Sequence, residues 1–187
     1  IGTIYIEQGN YDKGLECFFS FLKLMEEVGD KERIAIALGN IGVTFQNKGG
    51  STHNIHDYEE ALKYHNKAFQ MDKESGDKFN ISVDLNNIGA VYSDIGKLKP
   101  SVEIFKKALD HFQRSLKLKE EVGDKYGTGV VLVNIGDAYI QQGKLSHKAE
   151  IFTFAISSAQ KALAVFKEIG NPYGTAYCLV KIGQAFA

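Results

Sequence analysis

The chain has 187 residues, 44% hydrophobic and 24% charged, enough apolar material for a core and unlike a disordered sequence. Its net charge is −1 with lysine and arginine dispersed, so neither a nucleic-acid face nor an acidic tail stands out. No run of about 18 apolar residues is present, which excludes a membrane-spanning helix of the usual kind.

Glycine organises the rest. Gly29, Gly76, Gly123 and Gly170 are spaced by 47 residues, as are Gly42, Gly89, Gly136 and Gly183, and again Gly49, Gly96 and Gly143. Around the second series the text is nearly constant, from Asn40-Ile41-Gly42 through Asn87-Ile88-Gly89 and Asn134-Ile135-Gly136 to Lys181-Ile182-Gly183. Self-similarity at this period predicts an all-α solenoid of stacked helix pairs. The units are 1–29 (truncated), 30–76, 77–123, 124–170 and 171–187 (truncated). The chain opens and stops inside a unit, and we read it as a piece of a longer protein. Cys17 and Cys178 then lie at opposite ends of an elongated body, so they are read as free thiols suited to a reducing, cytoplasmic compartment.

In chain order, the first outer helix (helix B) runs from Tyr11 to about Val28 and stops at Gly29. Asp30 is a good N-cap, and Asp77, Asp124 and Asn171 take the same place later. Each opens an inner helix (helix A). The first complete one runs from Lys31 to about Lys48, with Ile34, Leu38, Ile41 and Phe45 at helical spacing. Gly49, Gly96 and Gly143 are expected to end the A helices as left-handed caps. From Gly9 to Gly29 is 20 residues, but the equivalent later steps are 27, adding seven residues between helix A and helix B. In the second unit these are Ser51 to Asp57, predicted as a polar loop. In the third and fourth, from Lys97 and Lys144, helix B is expected to start early and project beyond helix A, with Pro100 in its first turn.

Along helix B, Gly14, Ala61, Ala108 and Ala155 form a small column, followed by Leu15, Leu62, Leu109 and Ile156. The small column allows close approach to helix A. A glycine inside helix A costs about 1 kcal/mol against alanine, so its recurrence at Gly42 and its equivalents predicts close approach there too.

These columns resemble the tetratricopeptide repeat (TPR), whose inner helix carries a large apolar residue, a leucine-glycine or similar pair, then tyrosine. Here they are Leu38, Ile41-Gly42 and Phe45; Leu85, Ile88-Gly89 and Tyr92; and Leu132, Ile135-Gly136 and Tyr139. The usual family period is about 34 residues. The 40 residues from Gly2 to Gly42, and the phrase Glu26-Glu-Val-Gly-Asp-Lys31 echoed from Glu120, are similar to the long subtype of the Leu-Gly-Asn repeat protein and of bacterial signalling proteins. The step of 47 departs from both.

The resemblance implies a right-handed superhelix whose A helices line a concave groove, and it supplies groove positions by column. They include Ile36, Val83, Val130 and Tyr177; Asn86 and Val133; Val43, Ala90 and Asp137; and Asn47, Asp94 and Gln141. Some relatives clamp a peptide carboxylate with lysine in the second of these columns and asparagine in the third; this chain has neither, so that function is rejected. The lining is richer in valine and isoleucine than in charge, which suits an amphipathic helix or an apolar extended segment. Asn40, Asn87 and Asn134 could bond a peptide backbone or neighbouring helices. Phe154 and Ala164 stand where other units carry polar residues such as Lys107 and Lys117. They form an outer contact patch for a partner or another copy, or else pack on the third unit's helix B.

No catalytic constellation emerges. His53 and His56 lack further ligands, and the glycines follow no strand. The expected function is therefore a non-enzymatic scaffold or adaptor with no metal or cofactor, binding another protein but neither nucleic acid nor membrane. The alternative is a regulatory segment of a larger signalling protein such as a kinase, cyclase or transcription regulator.

Overall fold

The computed structural model describes residues 1–186, and among them every regular element is a helix. In order these are α1 (Gly2–Glu7), α2 (Tyr11–Val28), α3 (Lys31–Thr52), α4 (Ile55–Ser75), α5 (Lys78–Leu98), α6 (Val102–Glu121), α7 (Lys125–Ser146), α8 (Ala149–Glu168) and α9 (Pro172–Phe186). Each packs chiefly on the helices before and after it, as a solenoid requires. In addition α3 touches α5, α5 touches α7 and α7 touches α9. Successive even-numbered helices make no comparable contact among the described residues. The odd-numbered A helices are therefore the inner layer of the right-handed curve.

The turns from B to A form as the sequence predicts. Gly29, Gly76, Gly123 and Gly170 hold φ between 67° and 76°, a left-handed conformation that glycine adopts without steric cost. Asp30, Asp77, Asp124 and Asn171 each accept a hydrogen bond from the backbone N–H three residues on, at 2.8–3.1 Å.

The turns from A to B do not. Gly49, Gly96 and Gly143 are buried inside their helices and end nothing. The left-handed caps are His53 and His147, with φ 56° and 54°, while Lys99 closes α5 at φ −121°. Most of the predicted polar loop, Ser51 to Asp57, is helical, and the chain reverses at His53 and Asn54. Pro100 lies outside α6, ahead of the N-cap Ser101. Helix B starts three residues earlier, relative to its closing glycine, in the second unit as well as the third and fourth, and helix A lengthens beside it. The reason is helical geometry. Seven residues make about two turns at 3.6 residues per turn. One turn on each arm lengthens an antiparallel hairpin without rotating either face away from the other.

The glycines inside helix A are seats for rings. A methyl group on Gly89 would lie 2.7 Å from the Phe112 ring, and one on Gly42 2.7 Å from the His65 ring. Gly49, Gly96 and Gly143 receive Tyr58, Phe105 and Phe152 in the same way. The small column Gly14, Ala61, Ala108 and Ala155 is buried opposite. The fourth unit differs. Ala159 stands where Phe18, His65 and Phe112 do, and Phe166 fills the interior instead, seated on Gly129 and Gly174. Core clusters run from Leu15, Phe18 and Ile41 at one end to Leu132, Ala162, Phe166 and Cys178 at the other.

Candidate interaction surface

The inner face is tied together by polar rungs between successive A helices. Gln46 Nε2 on α3 donates to Asp94 Oδ2 on α5 at 2.8 Å. Asn134 Nδ2 on α7 donates to Asn86 Oδ1 on α5 at 2.9 Å. Lys181 on α9 reaches Asp137 on α7 at 2.9 Å. Burial works against the Lys181 charge, but hydrogen bonds to Asp137 and Tyr177 prevail and raise its pKa. Asn134 thus spends its amide on a neighbouring helix. Asn40 bears only a backbone bond, its carbonyl accepting from Thr44 Oγ1.

Against this frame the predicted groove residues take three positions. Ile36, Tyr177 and Asn47 are exposed. Val43, Val83, Asn86, Ala90, Asp94, Val130, Asp137 and Gln141 are half-buried, with Val130 also leaning on the Leu132–Phe166 cluster. Val133 is buried within that cluster. The C-terminal half of the trough is more polar than the family columns imply. Lys97 and Lys144 line it from the extra turns of α5 and α7, around an open hollow of about 650 Å³ that also meets Gln141, Tyr177 and Lys181. The signal for both lysines was in the sequence, since each directly follows a glycine of the third series. They go unread when the added residues are given to an early start of helix B instead of a longer helix A.

Phe154 and Ala164 are exposed on α8, Phe154 at 55%. The Phe154 ring lies 5.5 Å from that of Tyr139 on α7, not on helix B of the third unit. In earlier units the equivalent inner ring stacks on a residue four further along helix B: Phe45 on Tyr64 and Tyr92 on His111. The fourth unit has Ser158 there. Phe154 supplies the ring that Ser158 lacks.

Two ionisable features in the interior escaped the sequence reading. His65 is fully buried with neither ring nitrogen hydrogen-bonded, and burial lowers its pKa to about 4. A depressed histidine stabilises the fold above its unfolded value of about 6.5, and that stability is lost as pH falls toward 4. His65→Phe, which restores the ring of Phe18 and Phe112, should raise stability by about 1–3 kcal/mol and remove this acid sensitivity. Thermal melts at pH 4.5 and 7 read both effects, and an unchanged acid slope would contradict the assignment. The second feature is the pair Asp72 and Asp84, both buried, sharing a hydrogen bond between α4 and α5. Burial, then the bond to Asp72 and its charge, push Asp84 up to about 8.

Among the described residues no three histidine, cysteine, aspartate or glutamate side chains form a group that could hold a metal ion, and no helix is long and apolar enough to cross a membrane. Cys17 and Cys178 are free thiols.

A curved stack of helical hairpins with an open inner face defines a helical-repeat scaffold. Residues 46–113 match the tetratricopeptide-repeat model, and the same columns extend through the hairpins on either side. The chain is similar to tetratricopeptide-repeat proteins, a class that in general mediates protein–protein interaction. Similar solved structures include BtubC (BKLC) from P. vanneervenii, 12% identical with TM-score 0.65, covering 98% of this chain and 76% of that one. A putative kinesin light chain with nearly identical TPR-like repeats, from Podospora anserina, is 9% identical with TM-score 0.63, covering 100% and 92%. The de novo designed helical repeat protein DHR81 is 18% identical with TM-score 0.56, covering 98% and 91%. At these identities the likeness is one of fold. No curated protein matches the chain.

Proposed function

We propose that the chain is a protein-interaction scaffold that holds a segment of another protein, an amphipathic helix or an apolar extended strand, against its concave face. The observation that carries this reading is the run of partly exposed apolar residues on the A helices. Ile36, Val43, Val83, Ala90 and Val130 follow one another along the inner layer and lead into the lysine-rimmed hollow. Apolar groups left in contact with water on a rigid surface gain by being covered. The polar rungs hold the A helices in place beforehand, so little ordering cost attaches to binding. The extra turns of α5 and α7 widen the trough and place Lys97 and Lys144 on its rim. With both thiols free, a reducing cytoplasmic setting fits this role.

The test uses peptides of 12 to 20 residues selected by display on the intact chain. Val83→Glu should weaken the selected binders about tenfold or more while leaving the helical circular-dichroism signal unchanged. Lys144→Glu should reorder the selected sequences, removing acidic positions from their C-terminal or N-terminal half. Binders indifferent to both changes would place recognition elsewhere.

A further inference from the structure

The hollow at the C-terminal end of the trough carries a chemistry that the apolar run before it lacks. Its walls come from three successive A helices: Lys97 on α5, Asp137 and Lys144 on α7, and Tyr177 and Lys181 on α9. Three ammonium groups therefore face one carboxylate, and that carboxylate is already engaged. Asp137 Oδ1 holds Lys181 at 2.9 Å, both side chains being largely sheltered, and the same ammonium lies 4.9 Å from the centre of the Tyr177 ring. Lys97 is bonded to Asp94 at 2.9 Å, one turn back on its own helix, with about half of its side chain in water. Such a pair contributes little and exchanges partners readily. Lys144 is exposed and has no ion-pair partner among the described residues.

Packing does not call for these cations. The position of Lys97 and Lys144 is Gly50 in the second unit, and the position of Lys181 is Asn40, Asn87 and Asn134 in earlier units. Those hairpins form equally well.

The surplus of positive charge selects the occupant. A single chain-terminal carboxylate would meet one ammonium, whereas Lys97 and Lys144 stand on different helices around about 650 Å³ of open space, with the amides of Gln141 and Gln184 beside them. Several carboxylates in succession match that arrangement in charge and in hydrogen-bonding sense. A nucleic-acid strand would need the cations to continue along the face, and beyond the hollow the inner layer turns to Val130, Val83 and Ile36. We infer, on the reading that the trough receives a partner segment, that this segment is bipartite. An apolar stretch lies over Ile36 to Val130 and continues into a run of aspartate or glutamate, whose side-chain carboxylates enter the hollow and pair with Lys97 and Lys144.

The experiment is fluorescence anisotropy with the intact chain and three fluorescein-labelled peptides. Each joins a leucine- and valine-rich half to a half in which serine alternates with aspartate, asparagine or lysine. All are amidated at the C-terminus, so that only side-chain charge differs. The aspartate peptide should bind about tenfold tighter than the asparagine peptide at low salt, and about 0.5 M salt should remove most of that difference. In the double variant Lys97→Glu and Lys144→Glu, both at exposed positions, helicity should be unchanged, the aspartate advantage lost and the lysine peptide the tightest of the three. Val83→Gln should weaken the aspartate and asparagine peptides by the same factor. Equal binding of those two peptides to the unaltered chain, or an aspartate advantage that the double variant retains, overturns the inference; if Val83→Gln still weakens both, the trough reading survives without it. Peptides that bind but are indifferent to Val83→Gln remove the trough reading itself. Absence of binding by all three at millimolar protein overturns the acidic run, and the display-selected peptides then decide the trough. A thymidine oligonucleotide that binds more tightly than the aspartate peptide and is released by the double variant would make the hollow a nucleic-acid seat and likewise overturn the inference.

Discussion

Gly89→Ala is expected to lower stability by about 2 kcal/mol or more, whereas Gly136→Ala is expected to raise it by up to about 1 kcal/mol. On propensity alone both should gain, because alanine is the better helix former. The difference lies in what each faces. A methyl group on Gly89 would sit 2.7 Å from two carbons of Phe112 and 3.1 Å from the backbone oxygen of Ala108. Phe112 is 1% exposed and has nowhere to swing, so α5 and α6 must separate. At Gly136 the nearest atom is the Ala155 oxygen at 3.4 Å, because Ala159 stands where the other units carry a ring. Thermal melts of the two variants beside the unaltered chain decide the matter. Equal shifts in one direction would refute the ring-seat account of the glycine column.

The double variant Asp72→Met and Asp84→Ala should stabilise the chain by about 1–4 kcal/mol, with the gain greatest in alkali. It installs at the α4–α5 contact the apolar pair already present one unit earlier, Met25 and Ala37, both buried. Replacing both partners avoids stranding one carboxylate alone. The sign of the pH dependence follows from the direction of the shift. Burial raises Asp84 to about 8, above its ordinary value of 3.8. Its contribution is whole below the unfolded value and disappears as pH climbs through the folded one. Between about 4 and 6.5 the trend from His65 runs the opposite way, so the clean window is pH 6.5 to 9. The unaltered chain should lose thermal stability across that window and the double variant should not. Parallel slopes would mean that the pair shares no proton.

Both experiments act on columns whose identity was legible in the sequence and whose neighbours were not. The 47-residue glycine period established helix pairs, their order, the left-handed turns at Gly29 and its equivalents, and the aspartate caps, because turn conformation and capping are properties of a few adjacent residues. The apolar columns gave the inner and outer faces for the same local reason.

Tertiary structure decided the rest. A glycine looks alike at a cap and beneath a ring, and only the partner helix distinguished Gly49 seated on Tyr58 from Gly29 turning the chain. Whether seven added residues loop out or extend two helices depends on both arms gaining a turn together. That joint gain brought Lys97 and Lys144 to the rim of the trough. The burial of His65, the pairing of Asp72 with Asp84, and the bonds joining Asn86 to Asn134 and Gln46 to Asp94 are contacts between one helix and another. Local propensity determines elements one at a time, while side-chain environment is a property of elements in contact, and the geometry of that contact is where sequence periodicity stops informing.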